Sequence, residues 1–113
     1  MTDFEHASIS RRLALAIGWP EHKLYSEGDG SFVSINVSDM PPIKIWRDFD
    51  YRDPLIAWRV AERFNCFPKK VGGEWHGRFY QAHKGRDLYS SLYAKTAALA
   101  VAMAVIKAQE GKS

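Results

Sequence analysis

The chain reads as a single α+β domain of three helices and a mainly antiparallel sheet of four to five strands. Apolar residues recur at helical spacing in three segments with recognisable start and stop signals, near 3–17, 54–64 and 97–109. Between them lie runs that alternate apolar and polar side chains and are separated by turn dipeptides. The 113 residues suffice to bury one hydrophobic core without disulfides or metals.

The first helix opens on Thr2-Asp3-Phe4-Glu5, a capping box in which the Thr hydroxyl and the Glu carboxylate each satisfy an orphan backbone N–H. Ile9, Leu13, Ala16 and Ile17 form its expected inner stripe. Gly18 suits the left-handed position past the end, Trp19 can fold back over the last turn, and Pro20 blocks continuation. Glu27-Gly28-Asp29-Gly30 is a turn signal. Ser31–Val37 then alternates, with Phe32, Ser34 and Asn36 on one face and Val33, Ile35 and Val37 on the other. Met40-Pro41-Pro42 interrupts it, and Ile43–Trp46 reads as a short second strand or extended edge.

Asp53-Pro54 starts the middle helix, with Asp as N-cap and Pro in the first turn. Ala57, Val60, Ala61 and Phe64 are its inner stripe, Ile56 and Trp58 its rims, and Asn65 its left-handed terminator. Cys66–Val71 and Glu74–Ala82 form a hairpin about Gly72-Gly73, and Asp87–Leu92 adds a third strand through Lys84-Gly85-Arg86. Thr96 caps the last helix, TAALAVAMAVIKAQ, which has no charge between Lys95 and Lys107. Leu99, Ala102, Met103 and Ile106 share one side of it, and Ala97, Ala100, Ala104 and Ala108 share another. Such a helix is either central to the core or, on its alanine side, the seam of a homodimer.

Composition is ordinary for a globular protein, at 46% hydrophobic and 26% charged. The lone Cys66 cannot form an intrachain disulfide, which fits a reducing cytoplasm, and its neighbours Phe64 and Phe67 predict a buried, inert thiol. Met1–His6 is acidic and lacks an apolar run, so no secretory leader is expected. The longest uncharged apolar stretch, 96–106, is too short to span a bilayer. Charge is uneven: residues 1–68 carry eight Lys/Arg against ten Asp/Glu, whereas residues 69–113 carry eight against three. A basic C-terminal half suits an anionic partner.

Catalytic signatures are missing from the sequence, so an enzyme is not expected. His6, His22, His76 and His83 have no zinc-site spacing, and Cys66 has no second cysteine to pair with. Asp48, Asp50 and Asp53 stand among Arg47 and Arg52 without an EF-hand glycine, which marks a charged turn. Gly28, Gly30, Gly72 and Gly73 form no phosphate-binding loop. Neither a cofactor nor a metal is therefore predicted.

The order of elements resembles a known family. ALAIGW at 14–19, DPLIAWRVAERF at 53–64, WHGRFYQ at 75–81 and AKTAALAVAMAVIKA at 94–108 together resemble the phage ABA sandwich domain, a group of small phage and prophage proteins. The chain departs from the pattern where Asn65 replaces a glycine and where no proline follows Thr96. The resemblance implies a sandwich-like α+β fold and a non-enzymatic phage accessory protein acting in the host-cell cytoplasm. Such a protein would bind a host protein or ribonucleoprotein complex and inhibit it, as an anti-CRISPR protein inhibits a defence nuclease. The last meander and helix are also similar to the C-terminal part of a double-stranded RNA-binding domain, with Lys95 at the helix start. That similarity implies RNA or DNA binding by the basic half as the alternative.

GEWHGRFYQAHKGRDLY at 73–89 supplies the expected binding surface. Alternation puts Trp75 and Phe79 inward, leaving His76, Arg78 and Tyr80 outward, with His83, Lys84 and Arg86 in the next turn and Lys69 and Lys70 alongside. That face suits either a phosphate backbone or an acidic protein surface.

Overall fold

A computed structural model describes residues 1–26, 30–81 and 86–110, with the side chains of 80, 81 and 86–93 outside the description. The chain divides into two units, Met1–Asp50 and Tyr51–Ser113. The α+β class and the three helices are as the sequence predicts, but the strands form two three-stranded antiparallel sheets, one in each unit. Successive strands pair locally with their chain neighbours, and the middle helix intervenes between the third strand and the fourth.

In the first unit, helix α1 spans Asp3–Ala16. Thr2 Oγ1 accepts from the Glu5 N–H at 3.2 Å, as the capping motif requires. At the other end Gly18 takes a positive φ of 110°, the Gly18 N–H donates to Leu15 O and the Trp19 N–H to Ala14 O. These two bonds are the Schellman closure that Gly-Trp-Pro announces. The buried stripe is Ala7, Ser10, Leu13, Ala14 and Ile17, so it is rotated from the expected one and leaves Ile9 and Ala16 half-buried at its margin.

A 3₁₀ turn, Glu21–Lys23, leads into β1 (Leu24–Ser26), which pairs with β2 (Val33–Asn36), and β2 pairs in turn with β3 (Trp46–Asp48). The sequence did not announce β1, and β3 begins where the expected second strand ended. Val33 and Ile35 face inward, and α1 lies against β2. Two side chains, Asn36 and Ser38, and a backbone bond hold the segment joining β2 to β3. Asn36 Oδ1 accepts from the Ser38 N–H at 3.1 Å and from the Ile45 N–H at 3.0 Å. Ser38 Oγ accepts from the Met40 N–H at 3.2 Å, and the Val37 N–H donates to Ile45 O at 2.8 Å.

In the second unit, α2 (Pro54–Phe64) starts with Asp53 accepting from the Leu55 N–H at 2.9 Å and ends with Asn65 in the left-handed region at φ 52°. Val60 and Ala61 are buried, and Leu55 and Trp58 are exposed. Strands β4 (Cys66–Val71) and β5 (Glu74–Gln81) form the expected hairpin, with Gly72 and Gly73 both at positive φ. Strand β6 (Arg86–Ala94) pairs with β5 across a register irregularity between His76 and Arg78. Helix α3 (Ala97–Glu110) begins with Thr96 Oγ1 accepting from the Leu99 N–H and lies across β4, β5 and β6.

The contact of α3 with the sheet centres on Gly77. A Cβ built there would stand 2.5 Å from the Ala104 Cβ and 2.6 Å from the Ala100 carbonyl oxygen. Only glycine opposite two alanines allows helix and strand backbones so close together. Ala100 and Ala104 are buried in that contact. The middle of the alanine side, Ala100 and Ala104, is thus packed within the chain, while Ala97 and Ala108 at its ends are half-buried.

Candidate functional site

The structure separates the residues expected to form one basic face. Lys69 and Lys70 are exposed on β4, and the Lys70 ammonium sits 5.7 Å from the centre of the Trp75 ring. His76 and Arg78 were expected outward, yet they are only 7% and 9% exposed. Trp75 and Phe79, expected as core, are half-buried. The period-two alternation holds in the register, since His76 lies opposite Lys69 and Arg78 opposite Phe67. Exposure departs from it because the centre of β5 is buried on both faces, with Gly77 under α3 on one and His76 and Arg78 on the other. Tyr80 and Arg86 fall in β5 and β6 with side chains outside the described residues, and His83 and Lys84 lie outside them altogether. Of the eight expected binding residues, Lys69 and Lys70 are therefore the two whose side chains are shown exposed.

Cys66 is fully buried, and burial pushes its thiol up to about 12. A thiol so hard to ionise is no nucleophile at neutral pH, in agreement with the inert cysteine the sequence predicts. Among the described residues, no group of three His, Cys, Asp or Glu side chains is placed to hold a metal ion. No helix there is long and apolar enough to cross a membrane.

A different surface stands out, on the first unit. The register sets Tyr25 opposite Ser34 and Ser34 opposite Asp48, and sets Asn36 opposite Trp46. Ser34 and Asn36 are two residues apart on β2, so all five side chains share the outer face. Phe32, two residues before Ser34, extends the row. Tyr25, Phe32 and Trp46 are 49%, 44% and 43% exposed, unusually open for three neighbouring aromatics. The Tyr25 and Trp46 rings pack with centroids 5.8 Å apart at 57°, and with Phe32 and Ser34 they line an open depression of about 360 Å³. Ser34 is buried between its neighbours and donates its hydroxyl to Asp48 Oδ1 at 3.3 Å.

The sequence carried half of this signal. Phe32-x-Ser34-x-Asn36 was legible as one strand face, but Tyr25 and Trp46 reach it from other strands through pairing register alone. Among the described residues the depression lining has no imidazole, thiol, amine or carboxylate, and it presents flat aromatic rings. Comparison of the chain with protein-family models, with curated proteins and with solved structures returns no match.

Proposed function

We propose that the protein acts by binding another protein through the outer face of the β1–β2–β3 sheet. The observation that carries this is the cluster of Tyr25, Phe32 and Trp46 around one open depression. Large aromatic side chains are the commonest anchors of protein interfaces, because they combine contact area with little rotamer entropy. Met40, Ile43 and Ile45 are also exposed on the segment leading to β3, which adds apolar surface to the same unit. The resemblance to phage ABA sandwich proteins adds the proposal that the partner is a host complex and that binding inhibits it. That context comes from the order of motifs in the chain, whereas the binding face comes from the geometry.

The test is affinity capture from bacterial lysate with the wild type, with Tyr25→Ser/Trp46→Ser, and with Lys69→Glu/Lys70→Glu, each with and without nuclease. Binding to a protein by the aromatic face requires loss in the first double variant, retention in the second, and indifference to nuclease. Loss in the lysine variant together with nuclease sensitivity would replace it with nucleic-acid binding by the basic half.

A further inference from the structure

We propose that the depression between Tyr25, Phe32 and Trp46 receives an arginine side chain of the partner protein, stacked on the rings and hydrogen-bonded to Asp48. The inference rests on the protein-binding reading above and names the chemistry of its anchor. Aromatic faces carry negative electrostatic potential and attract cations, Trp most strongly. Here two tilted rings, Tyr25 and Trp46, and a third, Phe32, line one depression. Asp48 shares the outer face directly opposite Ser34, a residue of the depression lining, whose hydroxyl donates to its carboxylate.

Charge argues for the same sign. The outer-face residues Tyr25, Phe32, Ser34, Asn36, Trp46 and Asp48 include one carboxylate and no cation. Residues 1–50 as a whole carry five Lys/Arg against eight Asp/Glu. Arg47 alternates to the other side, and its guanidinium donates to the Trp46 carbonyl oxygen at 3.2 Å. A nucleic-acid strand stacking its bases on these rings would bring its phosphates toward Asp48, whereas Lys23 and Lys44 line a separate depression beside Asn36, where Lys23 already pairs with Asp39 and donates to the Ser38 carbonyl oxygen. A basic segment instead meets complementary charge. Among cations, guanidinium suits an open depression best, since it is planar, stacks flat on Trp or Tyr, and presents a fork of donors to a carboxylate. A quaternary ammonium gains most from a closed box of rings, which this surface is not.

The experiment is an NMR titration of the full chain with three short capped peptides that differ only at a central Arg, citrulline or norleucine, and with a short oligothymidine. The arginine peptide is expected to shift the Trp46 indole N–H and the Tyr25 and Phe32 ring signals saturably. Citrulline, which keeps shape but loses charge, should bind at least fivefold more weakly. Asp48→Asn should weaken the arginine peptide by roughly three- to tenfold and reduce its salt dependence. Trp46→Ala should remove the shifts, and Phe32→Ser, outside any strand, provides a second variant if Trp46→Ala perturbs the fold. Equal binding of arginine and norleucine, tighter binding of oligothymidine, or no shift at millimolar arginine peptide would each overturn the inference. Lysate capture that needs Trp46 without any such arginine preference would sink the arginine anchor alone. Capture indifferent to Trp46 would sink the protein-binding reading itself.

Discussion

Replacing Gly77 by alanine is the sharpest test of how the second unit is built. The new methyl carbon would meet the Ala104 Cβ at 2.5 Å and the Ala100 carbonyl oxygen at 2.6 Å. Carbon atoms in contact normally stay about 3.5–4.0 Å apart, so α3 or β5 must retreat by roughly an ångström. One obstacle is main chain within a helix and cannot rotate away, which puts the overpacking near the upper end of the usual 1–3 kcal/mol. Gly→Ala also stiffens the unfolded chain, which stabilises by about 0.4–1 kcal/mol where space allows. The net expectation is a loss of about 2 kcal/mol. For a chain of this size that lowers Tm by roughly 6–10 °C, measurable by circular dichroism or by the urea midpoint. The double variant Gly77→Ala/Ala104→Gly should lose less than the sum of the two single changes, because it removes one of the two clashes. The Ala100 carbonyl persists, so the rescue is partial. A Gly77→Ala variant as stable as wild type would refute the seating of α3 on β5.

Two further perturbations probe the buried thiol and the β2–β3 segment. Cys66 should resist thiol reagents until the chain unfolds. Because its folded-state pKa is raised to about 12 from an ordinary value of 9.0, the unfolded chain loses its proton first. The stability this group contributes is therefore intact below about pH 9 and falls by about 1.4 kcal/mol per pH unit as pH rises toward 12. Urea midpoints for wild type and Cys66→Ala should converge between pH 8 and pH 10.5, and a constant gap would show the thiol to be solvated. Asn36→Ala removes the acceptor for the Ser38 and Ile45 amides and should cost about 1–2 kcal/mol, with faster hydrogen exchange at both amides. Unchanged exchange at Ile45 would show that the segment is held by something else.

The sequence by itself determined the parts of this protein whose causes are local. Thr2, Gly18-Trp19-Pro20, Asp53-Pro54, Asn65 and Thr96 place both ends of the first two helices and the start of the third to within a residue or two, because caps act on backbone groups a few positions away. Gly72-Gly73 places the hairpin for the same reason, since a two-residue type I′ turn needs positive φ at both positions. Strand β1 was hidden because three residues are too few to show alternation, and only pairing with β2 makes them a strand. The candidate site was equally hidden. Tyr25 and Trp46 become neighbours only through two antiparallel registers, which bring together residues far apart in the chain. Burial was the other decision of tertiary structure. Alternation sorts β5 into two faces but cannot say which is wet, and the enclosed centre of that strand takes Gly77 on one face and His76 and Arg78 on the other. Exposure is a property of everything packed around a residue, so the face that looked basic along the chain is partly interior, while the exposed aromatic face is on the other unit.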